Sequence, residues 1–274
     1  MSPAAAPGRA RARTFGMLAA IGETTLSAAR WLAFVAGLGA AVAGAAVRPR
    51  TWRRPVRAAF RRAIHEAGVL PLPSVMVAAV LIGIGMVFQA LYWLGSVGQE
   101  SLVGTVLTTV LVREVAPVVV GLLVLGRFGT ATLIVLGGHA RTGRLEALDA
   151  QGIDPLLYLA LPRVLAAALA TVCLTILFTA AALFAGWAVA LVLSPTDVGL
   201  LEFLGNVLRA MGASNFVLLP LKALLVGLVV ALVATAIALG SPAAAAEPAR
   251  LAPAGFGLMV LATLVVSGMV SMVL

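Results

Sequence analysis

The sequence holds one cysteine, two histidines and a single lysine, and only 11% of its residues are charged. Each scarcity excludes something. One thiol, Cys173, cannot build a disulfide framework or a cysteine-based metal site, and within the apolar run TVCLTILF it reads as a small packed hydrophobe. An integral membrane enzyme would need clustered His, Asp or Cys at one membrane face, and two isolated histidines do not supply that. His65-Glu66 lacks the second His at helical spacing that a zinc protease requires. His139 has no ligand-type neighbours and is expected in a loop, where it could touch a partner or a phosphate. No GxxxxGK[ST] occurs, so the chain does not cradle nucleotide phosphates itself.

What is present in quantity is apolar sequence. A soluble domain carries about 45–50% apolar and about 25% charged residues, whereas here 62% are hydrophobic and the mean hydropathy is +1.12. The apolar residues fall in long blocks, enough for helices to cross a hydrocarbon layer of about 30 Å. The chain is therefore expected to be an all-α polytopic membrane protein. Its charge is lopsided, with 19 basic against 10 acidic residues. Arg9, Arg11, Arg13, Arg30, Arg48, Arg50, Arg53, Arg54, Arg57, Arg61 and Arg62 crowd the N-terminal part. They flank apolar segments, with no interleaved aromatics to stack bases, which argues against nucleic acid. Arginine beside a spanning segment instead marks cytoplasmic loops and contact with anionic headgroups.

Residues 1–13 read as a disordered basic tail. Residues 14–63 read as an interfacial helix and a basic elbow, because 31–47 is at the lower limit for a span and rich in small residues. A true extra span is the alternative. Residues 64–274 read as a five-span domain, with apolar segments at 69–94, 101–137, 164–193, 216–239 and 251–274. The second is too long for one upright span, and Pro117 is expected to kink it. Loop charge orients the set. The 126–163 connection carries Arg127, Arg141, Arg144 and Arg163, whereas 194–209 sets Asp197 and Glu202 against Arg209, and 95–100 has only Glu100. The N-terminus, the 126–163 connection and 240–250 then lie inside and the C-terminus outside.

The most informative connection is 138–163. RLEALDA reads as a short helix ended by Gly152, and Asp154-Pro155 starts a new one with proline in its first turn. Such a helix between two spans can dock into a partner's groove and transmit a rigid-body movement. The Glu146-Ala147-Leu148 core with Gly152 after it, then Leu161-Pro162, resembles the EAA-type coupling loop of ABC importer permeases. Within the membrane, Arg113, Glu114 and Lys222 are charged residues that must face a cavity or partner, or else snorkel to water.

From Leu111 to Ala166 the chain resembles the MlaE/YrbE family, the permease subunits of ABC systems that work with MCE proteins. The resemblance rests on Arg113-Glu114 with Pro117, Gly126-Arg127, Gly129, Gly137, Glu146-Ala147-Leu148, Gly152, Asp154-Pro155 and Leu161-Pro162-Arg163-Val164-Leu165-Ala166, followed by NFVLLPLKALLVGLVVAL with its single Lys222. It departs at Val135, where the family has an acidic residue, at Thr142-Gly143-Arg144, and in a C-terminal part without the family's Gly/Thr-rich opening and late Asp, so the member is divergent.

The resemblance implies an ABC-permease fold and an inner-membrane location in a bacterium. It implies a phospholipid or related hydrophobic substrate exchanged with an MCE-domain protein, and a second permease copy, identical or paralogous. It also implies that a separate ABC ATPase subunit binds the ATP, leaving this chain without a cofactor or a catalytic residue. By the same resemblance, Arg144, Glu146, Ala147, Leu148, Asp149, Gly152, Asp154 and Pro155 would contact the ATPase, and Arg113, Glu114 and Lys222 would line a lipid cavity. A secondary transporter or channel would need polar residues spread along several spans, and most spans here carry none. A structural, non-transporting subunit stays open.

Overall fold

The computed structural model describes residues 8–96, 98–99, 102–193, 199–240 and 248–273. Residues 1–7 of the expected tail, and Glu100 and Asp197 of the loop-charge reading, lie outside them. The described chain is helical without strands: α1 Gly8–Val47, α2 Arg54–Ile64, α3 Leu72–Ser96, α4 Val103–Arg141, α5 Arg144–Ala150, α6 Leu161–Leu193, α7 Leu200–Gly240 and α8 Pro248–Val273. Among the described residues six stretches are long and apolar enough to cross a membrane. Five match the expected spans. The sixth, Thr25–Val47, falls in the segment placed at the interface, and by length and composition it qualifies as a span. α1 starts at Gly8, inside the expected tail.

The amphipathic pattern of a surface helix belongs to α2. Val56 and Ala63 are buried against α6, while Arg54, Arg57, Arg61 and Arg62 are exposed. The elbow before it is tied down by side chains that satisfy the carbonyls at the end of α1, a need every helix C-terminus has. Thr51 Oγ1 donates to Ala45 O (2.7 Å) and Trp52 Nε1 to Ala46 O (3.0 Å).

α6 is the central post, packed by α2, α3 and α7. Its Thr171, Thr175 and Thr179 are buried, and each hydroxyl donates to the carbonyl four residues back at 2.7–2.8 Å. Polar groups are thus satisfied locally in an apolar interior. Two of the closest approaches need glycine. A Cβ at Gly83 of α3 would collide with the Ala182 backbone of α6, and one at Gly227 of α7 would meet Thr171 Oγ1 at 2.5 Å. Small residues let backbones approach in this way when the bilayer supplies no hydrophobic drive between helices.

Three expectations change. The 126–163 connection is mostly helix: α4 runs on to Arg141, so His139 sits in its last turn rather than in a loop. Helix α4 reaches its length through two π-helical stretches, Leu107–Val115 and Leu125–Gly129, the first ending just before Pro117. A π turn inserts a residue into the helical ladder, so the strain of this proline segment is taken up before the ring. The 194–209 segment is likewise helical from Leu200, and Gly212, with φ 61° and ψ 161°, breaks α7 between that piece and the span 215–240. Finally, Cys173 is exposed on the bundle surface rather than packed within it.

Candidate functional site

The intramembrane charges predicted from sequence come together. Arg113 lies ten residues into α4, about 15 Å from its start at 1.5 Å per residue. Lys222 lies seven residues after the start of the 215–240 span, and Ser271 is in the last turn of α8. All three are therefore at the end of the bundle opposite α5. Lys222 is buried at 3% exposure, and its ammonium donates to Glu114 Oε2 (2.6 Å), Ser271 Oγ (2.7 Å) and Arg113 O (3.1 Å). An ammonium has three protons, and all three are used inside the protein. Lys222 therefore does not snorkel. Ser271 in turn has Glu114 Oε1 and Oε2 and Ser267 O within 2.8–2.9 Å.

The backbone explains one of these bonds. Pro117 carries no N–H and so cannot donate to the carbonyl of Arg113 four residues earlier. That oxygen is the one Lys222 reaches.

Arg113 has a different situation. Its Nε is 3.8 Å from Glu114 Oε1, and its side chain is 30% exposed. It lines a narrow cleft of about 10 Å³, room for about one water, with Lys222, Ser271, Asn215 and Thr108 and the apolar Val112, Leu218, Leu219 and Val270. Two cations and one carboxylate leave this corner with one net positive charge beside an apolar wall. Such a surface suits an amphiphile with an anionic end. Asn215 Nδ2 donates to Met211 O across the Gly212 break, and Thr108 Oγ1 donates to Gly104 O at 2.9 Å, so the polar rim is itself held in place.

At the other end, α5 has the boundaries its sequence foretold. Gly143 and Gly152 take positive φ of 68° and 72°. Ile153 N donates to Leu148 O and Gly152 N to Asp149 O, closing the helix with a left-handed glycine turn. Asp154 Oδ1 then accepts from Leu156 N at 2.9 Å, with Pro155 between them, which starts the next helical stretch. Arg144, Glu146, Ala147 and Asp149 are exposed and Leu148 is half-buried; no residue of α5 is buried. Gly152 and Asp154 are exposed and Pro155 half-buried. The predicted coupling residues thus form one protruding surface, separate from the Lys222 cluster.

Near the α5 end is a further group that sequence reasoning did not single out. Arg163 Nη1 lies 3.6 Å from Glu66 Oε2 and donates to Thr132 Oγ1 (3.2 Å), with the guanidinium 5.9 Å from the Phe128 ring centre. Arg127 Nη1 donates to Leu70 O (2.8 Å). These contacts join the π-helical turns at His65–Val69 and Leu125–Gly129 to the start of α6. Ser271 was also missed. The only signal for it was the four-residue spacing of Ser267 and Ser271 in an otherwise apolar run. Among the described residues no cluster of His, Cys, Asp and Glu could hold a metal.

Residues 60–273 match the family model described as Permease MlaE. The chain belongs to the MlaE permease family. It is 31% identical over 123 residues to the intermembrane phospholipid transport system permease protein MlaE of Haemophilus influenzae, covering 45% of this chain and 47% of that protein. A probable ABC transporter permease protein of Synechocystis is 32% identical over 141 residues, 49% of this chain and 51% of the relative. The chloroplastic protein TRIGALACTOSYLDIACYLGLYCEROL 1 of Arabidopsis thaliana is 31% identical over 126 residues, 46% and 35% respectively. The aligned segments span about half or less of these curated relatives. The family match and the six apolar helices make this chain a multi-pass membrane permease subunit.

Proposed function

We propose that this permease moves phospholipid, or a related hydrophobic molecule, between the bacterial inner membrane and an MCE-domain protein, powered by a separate ABC ATPase and acting as one of two permease copies. The observation that carries the reading is the mixed cleft: an apolar wall of Val112, Leu218, Leu219 and Val270 meeting Arg113, whose part-exposed guanidinium, beside Glu114, keeps donors to offer a headgroup. Acyl chains favour the wall through the hydrophobic effect, and a phosphate favours the guanidinium, whose planar fork binds it bidentately. Lys222 and Glu114 hold the frame on which Arg113 is presented. The name of the Haemophilus relative, a phospholipid transport permease, supports the same substrate class.

The protruding α5 surface supports the mechanical half of the proposal. A short helix with no buried residue, bounded by two left-handed glycines, is built to be pushed as a unit. ATPase closure on Arg144, Glu146, Leu148 and Asp149 would move α5 and the adjoining ends of α4 and α6. The helices that frame the cleft would shift with them and change its geometry. No side chain of this chain performs chemistry in the scheme.

The test is the phospholipid that co-purifies in mild detergent, measured as organic phosphate per chain. Arg113→Ala should lower it by half or more. Equal lipid content in the variant and the parent would remove Arg113 from lipid contact, and with it the cleft assignment.

A further inference from the structure

We infer that the exposed face of α2 is a docking surface for the headgroups of anionic phospholipids, separate from the cleft that Arg113 lines. Arg54, Arg57, Arg61, Arg62 and His65 follow one another at steps of three, four, one and three residues and are all exposed, and Arg53 precedes them. Val56, Ala63 and Ala67 occupy the opposite side and are buried. Helix α2 itself contains no acidic residue, and none of its arginines is in an ion pair among the described residues. The nearest carboxylate, Glu66, is directed to Arg163 at 3.6 Å. The face thus keeps a large excess of positive charge, with Glu66 the one carboxylate lining the cleft beside it. Arg61, Arg62 and His65, with Ala58 and Glu66, line an open surface cleft of about 400 Å³.

Position selects a lipid as the occupant. α2 runs through the π-helical turn His65–Val69 into α3, so that Arg54–Ser96 is one continuous helical stretch that holds a candidate span, and its start is fastened to the end of α1, another candidate span, by Trp52 Nε1 on Ala46 O. Trp52 packs edge-on against Phe60 with ring centres 5.3 Å apart. The helix is therefore held level with the ends of two spans, where phosphates of the bilayer lie and where Trp anchors gather. Each guanidinium can take one phosphate through two hydrogen bonds, and juxtamembrane arginines prefer anionic over zwitterionic surfaces. The placement of α2 is independent of transport.

The experiment compares binding of short-chain phosphatidylglycerol and phosphatidylcholine to the full chain in detergent, by native mass spectrometry and by the shift in thermal unfolding. The parent should prefer phosphatidylglycerol. The combined Arg57→Gln, Arg61→Gln and Arg62→Gln variant should lose that preference, on the order of a hundredfold in affinity at low salt. The matching Arg→Lys variant should keep most of it, which separates charge from folding. Arg113→Gln, which acts on lipid in the cleft, should lower total bound lipid without removing the part of the preference that the triple Gln variant abolishes. Equal binding of the two lipids by the parent overturns the inference. So does a preference that survives the triple Gln variant, or one that vanishes in Arg113→Gln, because both would place the anion elsewhere. Inorganic phosphate producing the same shift at equal concentration would make the site one for soluble anions and overturn the lipid assignment.

Discussion

The two ends of the bundle handle charge in opposite ways. Around Lys222 a cation is buried, and each of its protons has a named acceptor: a carboxylate, a hydroxyl and a main-chain carbonyl. On α5 the charges of Arg144, Glu146 and Asp149 stand in solvent, with no ion pair among the described residues. A buried charge with every partner supplied is part of the frame. Exposed charges on a short helix contribute little to the fold and are available to another protein. The same residue class thus serves architecture at one end and, under the proposed function, recognition at the other, and substitutions should separate the two roles.

The largest stability effect should come from Lys222→Met. Removing one member of a buried ion pair costs about 3–5 kcal/mol, and the part-exposed Glu114 carboxylate, at 41% exposure, places the expected loss near the lower figure. Thermal unfolding in detergent reads it, and adding Glu114→Gln should recover part of the loss; a double variant no better than the single one would show that the pair is not the cause. Gly83→Val comes next. Its side chain would drive against the Ala182 backbone, and overpacking of this kind costs roughly 1–3 kcal/mol. Ser271→Ala should cost about 1–2 kcal/mol, because it leaves one proton of the buried Lys222 without its acceptor, while Lys222 and Glu114 still meet directly at 2.6 Å. Glu146→Lys should change stability by less than about 0.5 kcal/mol, as exposed substitutions do, yet uncouple ATP hydrolysis from lipid movement in the reconstituted complex. Should Glu146→Lys unfold the chain, or transport normally, the contrast between the two ends would collapse.

What could be read from sequence follows the range of the physical signal. The ends of α5 were legible because Gly152 and Asp154-Pro155 act within a turn of themselves. Arg113, Glu114 and Lys222 stood out because charge in an apolar run is rare and costly. Their partner Ser271 did not, since a serine in a run of small residues looks the same whether it packs or donates, and the contact joins residues 49 and 157 positions apart. The interfacial helix expected within 14–47 rests on the shortness of 31–47, whereas the amphipathic pattern lies in α2, hidden by the arginine excess that marks 48–63 as an elbow. The π-helical stretches left no trace in composition, because they change register without changing residue type. Arg163 was visible only as one of several basic loop residues until the fold brought Glu66, Thr132 and Phe128 around it.

The carbonyl at Arg113 is beyond the reach of ordinary side-chain mutagenesis. Any residue placed at position 113 keeps the same oxygen, and the missing donor belongs to Pro117. Charge at the cleft and anchorage of Lys222 are thereby carried by different atoms of one residue. Sequence drift can alter the charge at 113 while the three-helix junction keeps its main-chain bond. A lineage can change the side chain that lines the cleft without first dismantling what holds the cleft together.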